Sequence, residues 1–183
     1  MDNGENYSRF LSGDKNALED IVREYMDGLV LYLCSFTDNI VTAEEIAEDT
    51  FVKLYADRPS FRGRSTFRTW LYAIGRNTAI DHIRKHKKYR EVSSDDLYSL
   101  SDLADIEREY IRDEERILLR RTMEKLCEDY RQVLYLVYFE NFTNSEAGAV
   151  MKKSERQIRN LLYRAKKALK LLLEKEGFEY EGL

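Results

Sequence analysis

TNSEAGAVMKKSERQIRNLLYRAKKALKLL, residues 143–172, packs two helix starts around a very short turn. Thr143 followed by Glu146 and Ser154 followed by Gln157 are both capping boxes, in which a hydroxyl and a Glu or Gln side chain satisfy each other's backbone N–H groups. Each cap is worth on the order of 1 kcal/mol, so the spacing predicts one helix over 143–151 and a second over 154–173. Lys152 and Lys153 fall in the turn. Ala147, Val150 and Met151 can face Ile158, Leu161 and Leu162, a helix-turn-helix arrangement. Glu155, Arg156, Gln157, Arg159, Asn160, Tyr163 and Arg164 are left on other faces. Arg, Gln and Asn can make paired hydrogen bonds to base edges in a major groove, and the second helix of such a motif reads bases with its N-terminal residues. Lys152, Lys153, Arg164, Lys166 and Lys167 are placed to meet phosphates. Gly148 inside the first helix costs about 1 kcal/mol relative to Ala unless close packing requires it.

Upstream, helical spacing continues almost everywhere. Leu18, Ile21, Val22, Tyr25, Met26, Leu29, Val30 and Leu33 form one stripe. Ile46, Ala47, Phe51, Leu54 and Tyr55 form another, which Thr42 and Glu45 are expected to cap. Phe67, Trp70, Leu71, Ile74 and Ile83 form a third, interrupted near Gly75. Leu118, Leu119, Met123 and Leu126 are followed by Val133, Leu134, Val137 and Tyr138. No period-2 run of strand length stands out. Between these halves, residues 91–115 are acidic, start Ser/Asp-rich and carry few apolar residues. The prediction is an all-α chain: helical domains over 1–90 and 116–183, joined by a flexible acidic linker over 91–115.

Charge is sorted along the chain. Residues 1–57 carry a net −9, 58–90 +9, 91–115 −8, 116–173 +7 and 174–183 −3, within a total of −4. Two basic segments separated by an acidic one could hold a polyanion at two places while another partner grips the acidic faces. The two cysteines, Cys34 and Cys127, make no disulfide framework and read as small core residues in a reducing compartment. The polar, acidic start is not a signal peptide, and no 18-residue apolar run is present, so a cytoplasmic protein without membrane insertion is expected. No nucleophile elbow, phosphate loop or dinucleotide fingerprint occurs, so no enzyme activity is expected. His82 and His86, spaced i, i+4, could share a metal. They lie in a basic run with no convincing further ligands, so neither a metal site nor a cofactor is expected.

RPSFRGRSTFRTWLYAIGRNTAIDHIRKHKKYR, residues 58–90, interleaves Phe61, Phe67, Trp70 and Tyr72 with Arg62, Arg64, Arg68 and Arg76. Aromatic rings stack on unpaired bases, worth about 1–3 kcal/mol per base, while Arg and Lys follow the backbone. For Phe67 and Trp70 a place in the core at helical spacing is the simpler reading. Phe61 and the loop arginines have no evident core face.

Taken together, these segments resemble the small two-domain sigma factors of bacterial RNA polymerase, the extracytoplasmic-function group. The resemblance spans about residues 7–173. FRGRSTFRTWLYAIGRNTAIDHIRK resembles the promoter-melting segment, AEEIAEDTFVKLY the polymerase-binding helix, and the helix-turn-helix the domain for the upstream promoter element. It implies that Glu44, Glu45, Glu48 and Asp49 face the β′ clamp helices of core RNA polymerase. Phe61, Arg62, Gly63, Arg64 and Ser65 would form the loop that captures a flipped base of the −10 element, with Trp70, Arg76 and Asn77 on the adjoining helix. Lys152, Lys153, Arg156, Gln157, Arg159, Asn160, Tyr163 and Arg164 would engage the −35 element of promoter DNA, and the C-terminal domain would meet the β flap. The acidic linker would thread towards the RNA exit path. Such proteins are commonly held inactive by an anti-sigma factor. The chain departs from the family pattern at Lys152, where the turn usually has Gly, at Leu161, where Arg is frequent, at Arg64, often acidic or small, and at Cys127, often Pro.

A stand-alone DNA-binding regulator would need only the C-terminal basic segment and would leave the aromatic-arginine loop and the acidic helix unexplained. A purely protein-binding adaptor would leave both basic segments unexplained. The reading that uses every segment is promoter-specific transcription initiation.

Overall fold

The apolar stripes of the first half close into four helices: α1 (Gly4–Leu11), α2 (Lys15–Leu33), α3 (Ile40–Asp57) and α4 (Phe67–Arg90). The computed structural model describes residues 4–37, 39–90, 119 and 121–176, and of 87–90 the helical backbone. The expected linker over 91–115 lies outside the described residues. Ile21, Leu29 and Leu33 of α2, Ile46 and Leu54 of α3, and Phe67 and Leu71 of α4 are all fully buried against one another. Each such side chain contributes about 1.5–3 kcal/mol relative to exposure. The break in the α4 stripe at Gly75 has a packing cause. A Cβ there would lie 2.8 Å from Leu29 Cδ1, so glycine lets α4 and α2 approach closely.

Helix ends follow local chemistry. The Asp14 side chain accepts from the Asn16 N–H and starts α2. α3 starts three residues earlier than the expected Thr42–Glu45 box would place it, with Asn39 rather than Thr42 as its cap. The Asn39 side chain accepts from the Val41 N–H at 2.9 Å, and Ile40 is buried, so both the cap and the core favour the earlier start. α3 ends at Arg58 in a left-handed conformation, directly before Pro59.

In the second half, a helical turn at 121–124 precedes α5 (Glu128–Leu134). A π-helical segment, Tyr135–Phe139, continues α5, and then come α6 (Asn144–Met151) and α7 (Glu155–Lys175). α5 and α6 both pack on α7. No strand occurs among the described residues. The two halves do not stand apart. α4 lies along α6, the end of α2 meets the π segment, and buried side chains of both halves join into one core. Cys127, read from the sequence as a core residue, is exposed, and Cys34 is half-buried. Cys127 occupies the cap of α5, where the chain turns at the surface.

Candidate nucleic-acid interface

The turn between α6 and α7 is built as its caps predict. Thr143 Oγ1 accepts from the Glu146 N–H, and the Glu146 carboxylate accepts from the Thr143 N–H. Ser154 and Gln157 exchange the same pair of bonds. The turn itself is tight. Lys152 sits at φ +55°, and the N–H groups of Lys152 and Lys153 both point to the Gly148 carbonyl. A Cβ on Gly148 would lie 2.6 Å from the Lys153 carbonyl oxygen, which is why glycine stands inside a helix here.

α7 divides cleanly. Ile158 and Ala165 are buried, and Leu161 and Leu162 pack beside them. Leu161 is therefore on the packing side of the helix. Arg156, Gln157, Arg159, Asn160, Tyr163 and Arg164 are all exposed, Tyr163 to 71%. Several of these groups already have partners. Gln157 Oε1 is held by the cap, Arg159 pairs with Glu155 at 2.8 Å, and Lys153 pairs with Asp129 at 3.1 Å. Lys166 lies over the Tyr138 ring.

The second basic element is the loop at 58–66 leading into α4. Arg62, Gly63, Arg64 and Ser65 are exposed, and Gly63 takes φ +64°. Phe61 differs from the sequence expectation, because the loop does have a core face at that residue. Its half-buried ring packs at a tilt against Trp70 at 5.3 Å and edge-on against Phe67 at 5.7 Å. Phe67 is fully buried and Trp70 half-buried, as their helical spacing predicts. α1 secures this cluster from below. Tyr7 packs on Trp70 and donates from its hydroxyl to the Pro59 carbonyl at 2.8 Å. Burial pushes that phenol up to about 12 against the opposing pull of Arg58. The loop thus presents Arg62, Arg64 and Ser65, with Gly63 between them, from an aromatic platform.

On α3, Glu45, Glu48 and Asp49 are exposed and Glu44 is half-buried, with Ile46 and Ala47 facing the core. This is the outward acidic face expected from the sequence. His82 and His86 stack on each other at 4.2 Å. Partial burial and the neighbouring His86 lower the pKa of His82, against the pull of Glu45 and Asp49.

Arg76 and Asn77 of α4 meet the C-terminal half. Arg76 Nε donates to Gln132 Oε1 at 3.3 Å, and Lys152 Nζ donates to Asn77 Oδ1 at 2.9 Å. Beside them, Arg68 and the Tyr72 hydroxyl both donate to Glu140. Sequence reasoning did not single out Glu140 or Gln132. A signal was present, since Glu140 interrupts the apolar run from Val133 to Phe142, and an acid in such a run requires a partner.

Two family models match the chain in order: Sigma-70 region 2 over residues 21–89, and Sigma-70, region 4 over residues 116–169. The RNA polymerase sigma-H factor of Pseudomonas aeruginosa is 30% identical over 175 residues, covering 91% of each chain. The ECF RNA polymerase sigma factor SigM of Bacillus subtilis is 32% identical over 155 residues, covering 85% of this chain and 94% of SigM. The structure of CnrH in complex with the cytosolic domain of CnrY has a similar fold, with a TM-score of 0.69 at 24% identity over 95% of this chain and 97% of CnrH. With two family models matched in order and relatives matched along nearly its whole length, the chain belongs to the sigma-70 family, in the extracytoplasmic-function group of RNA polymerase sigma factors.

Proposed function

We propose that this sigma factor divides promoter recognition between residues 1–90 and residues 116–183, with 91–115 as the linker between them. The observation that carries this reading is the pairing of two exposed basic surfaces, one in each half of the chain: the polar face of α7 and the loop at 61–65. Arg156, Gln157, Arg159, Asn160, Tyr163 and Arg164 read base edges of the −35 element, and Lys152 and Lys153 meet its phosphates. Phe61, Arg62, Gly63, Arg64 and Ser65 receive a flipped base of the −10 element. Trp70, Arg76 and Asn77 contact its upstream edge.

The Trp70 and Phe61 rings offer stacking surface that offsets part of the few kcal/mol lost for each unstacked base. Glu44, Glu45, Glu48 and Asp49 dock on the β′ clamp helices, and the C-terminal unit docks on the β flap. Bond-making belongs to core RNA polymerase, so the chain acts as an initiation factor in the cytoplasm and not as an enzyme. No helix among the described residues is long and apolar enough to cross a membrane. A structural neighbour is the sigma factor RpoE of Bartonella quintana in complex with the anti-sigma factor NepR. An anti-sigma factor is a corresponding partner for this chain.

Reconstituted transcription tests the reading. Core RNA polymerase with and without the protein is supplied with fragmented genomic DNA of the source organism. Discrete transcripts that require the protein are expected, and their start sites define both promoter elements. No such transcripts, together with tight binding of the protein alone to duplex DNA, would instead identify a stand-alone regulator.

A further inference from the structure

We infer that Tyr7, on a helix that precedes the span matched to region 2, is a positioning residue for −10 recognition. Its hydroxyl fixes the near end of the loop at 58–66, and so sets how Arg62, Gly63, Arg64 and Ser65 meet a flipped base. The role rests on the proposed assignment of 61–65 to the −10 element.

The loop has little support of its own. Its backbone takes left-handed conformations at Arg58 and Gly63. Among the described residues, no backbone–backbone hydrogen bond reaches residues 59–65. The far end is fixed where α4 begins, because Thr66 Oγ1 accepts from the Thr69 N–H at 3.2 Å. The near end has the Tyr7 hydroxyl, which donates to the Pro59 carbonyl at 2.8 Å. Proline carries no N–H, so that carbonyl is the one polar backbone group Pro59 offers. No other hydrogen bond among the described residues reaches the backbone of 59–65.

α1 is built around this contact. Tyr7 and Phe10 are the residues it buries, and they lie three apart on one face. Both reach the start of the loop. The Arg58 guanidinium lies over the Phe10 ring at 5.4 Å, and Tyr7 holds the next residue. The Tyr7 ring packs at a tilt against Phe67 at 5.5 Å and Trp70 at 5.2 Å, the same two rings that Phe61 meets from the loop side. Tyr7 is only 1% exposed, so its phenol stays protonated and remains a donor throughout the neutral range.

Beyond Phe61 the tip is exposed from Arg62 to Thr66. The aim of Arg62 and Arg64 therefore follows the course of the backbone that carries them. A loop ordered before binding loses less conformational entropy when a base enters, and it holds its side chains in one geometry for comparing bases. Freeing the Pro59 end costs both. Discrimination among bases then falls along with affinity.

The test uses the full chain with core RNA polymerase, on one promoter and its three substitutions at the flipped −10 position. Tyr7→Phe keeps the ring and removes the hydrogen bond. Promoter use is expected to fall about fivefold, the size of one neutral hydrogen bond, and the preference among the four bases to narrow. Affinity for core polymerase should match wild type. Trp70 is the only tryptophan, so its emission reports the ring cluster. That emission should be unchanged in Tyr7→Phe and shifted in Tyr7→Leu, which loses the ring as well. Circular dichroism checks that helicity is kept, and Tyr7→Phe decides if Tyr7→Leu does not fold. Wild-type base preference in Tyr7→Phe would overturn the positioning role, whether or not its melting temperature drops. Arg62→Ala and Arg64→Ala separate the two levels. If they alter base preference while Tyr7→Phe does not, only the positioning role fails. If they too leave it unchanged, the −10 assignment itself is wrong.

Discussion

Lys152 adopts a left-handed backbone that L side chains disfavour by about 1–2 kcal/mol, and the turn accepts that cost. Lys152→Gly should therefore raise stability by about 0.5–1 kcal/mol, read as a higher denaturation midpoint, even though the contact with Asn77 is lost. An unchanged midpoint would mean that the Asn77 contact balances the strain, and a lower one that it outweighs it. Gly148 is the opposite case. Its Cβ would press on a backbone oxygen, which cannot rotate away as a side-chain tip can. Gly148→Ala should destabilise by about 1–3 kcal/mol despite alanine's better helix propensity, measured by the same unfolding curve.

On the first turn of α7, Gln157 serves the cap and is also proposed to read a base. Gln157 holds the Ser154 N–H through Oε1, so only its amide donor side remains for a base. Gln157→Ala should weaken −35 recognition by about 1–3 kcal/mol and relax preference at one position, while also loosening the helix start. Gln157→Glu separates the two effects. It keeps an acceptor for the cap, so thermal stability should hold, but it cannot donate to a base and repels phosphate. Altered promoter preference with an unchanged melting temperature is the expected signature.

On α4, partial burial and His86 depress the pKa of His82. Below its unfolded value near 6.5 the unfolded chain then binds more protons than the folded one, so stability falls as pH drops through that region. Thermal melts between pH 7.5 and 5.5 should show this fall, and His82→Gln should flatten it. An identical pH slope in that variant would remove His82 as its source.

At the scale of the whole molecule, charge sorting matters more than net charge. A protein with a total of −4 presents two basic segments because most of its acidic residues lie in the other segments. Lys166, exposed on α7, is proposed to meet phosphate, a contact without sequence information. Lys166→Ala should weaken promoter binding by the polymerase-bound protein uniformly across sequences and lower the log–log salt slope by about one. A loss confined to particular base pairs would assign Lys166 to reading instead.

How much could be read without coordinates follows from the range of each interaction. Helix identity, the two capping boxes of the helix-turn-helix and the outward polar face of α7 depend on contacts within four residues of the chain, and periodicity with cap chemistry records those directly. The start of α3 was missed because two neighbouring residues, Asn39 and Thr42, could each cap it, and burial of Ile40 decided between them. Phe61 gained a core face, and Cys127 lost one, through packing that spacing does not encode. The meeting of Arg68 and Tyr72 with Glu140, and of Asn77 with Lys152, joins residues about 70 positions apart. Local sequence determines which residues are charged and which face of a helix they share. Only the tertiary fold decides which charge a buried carboxylate meets, because its desolvation is offset by a partner brought from elsewhere in the chain.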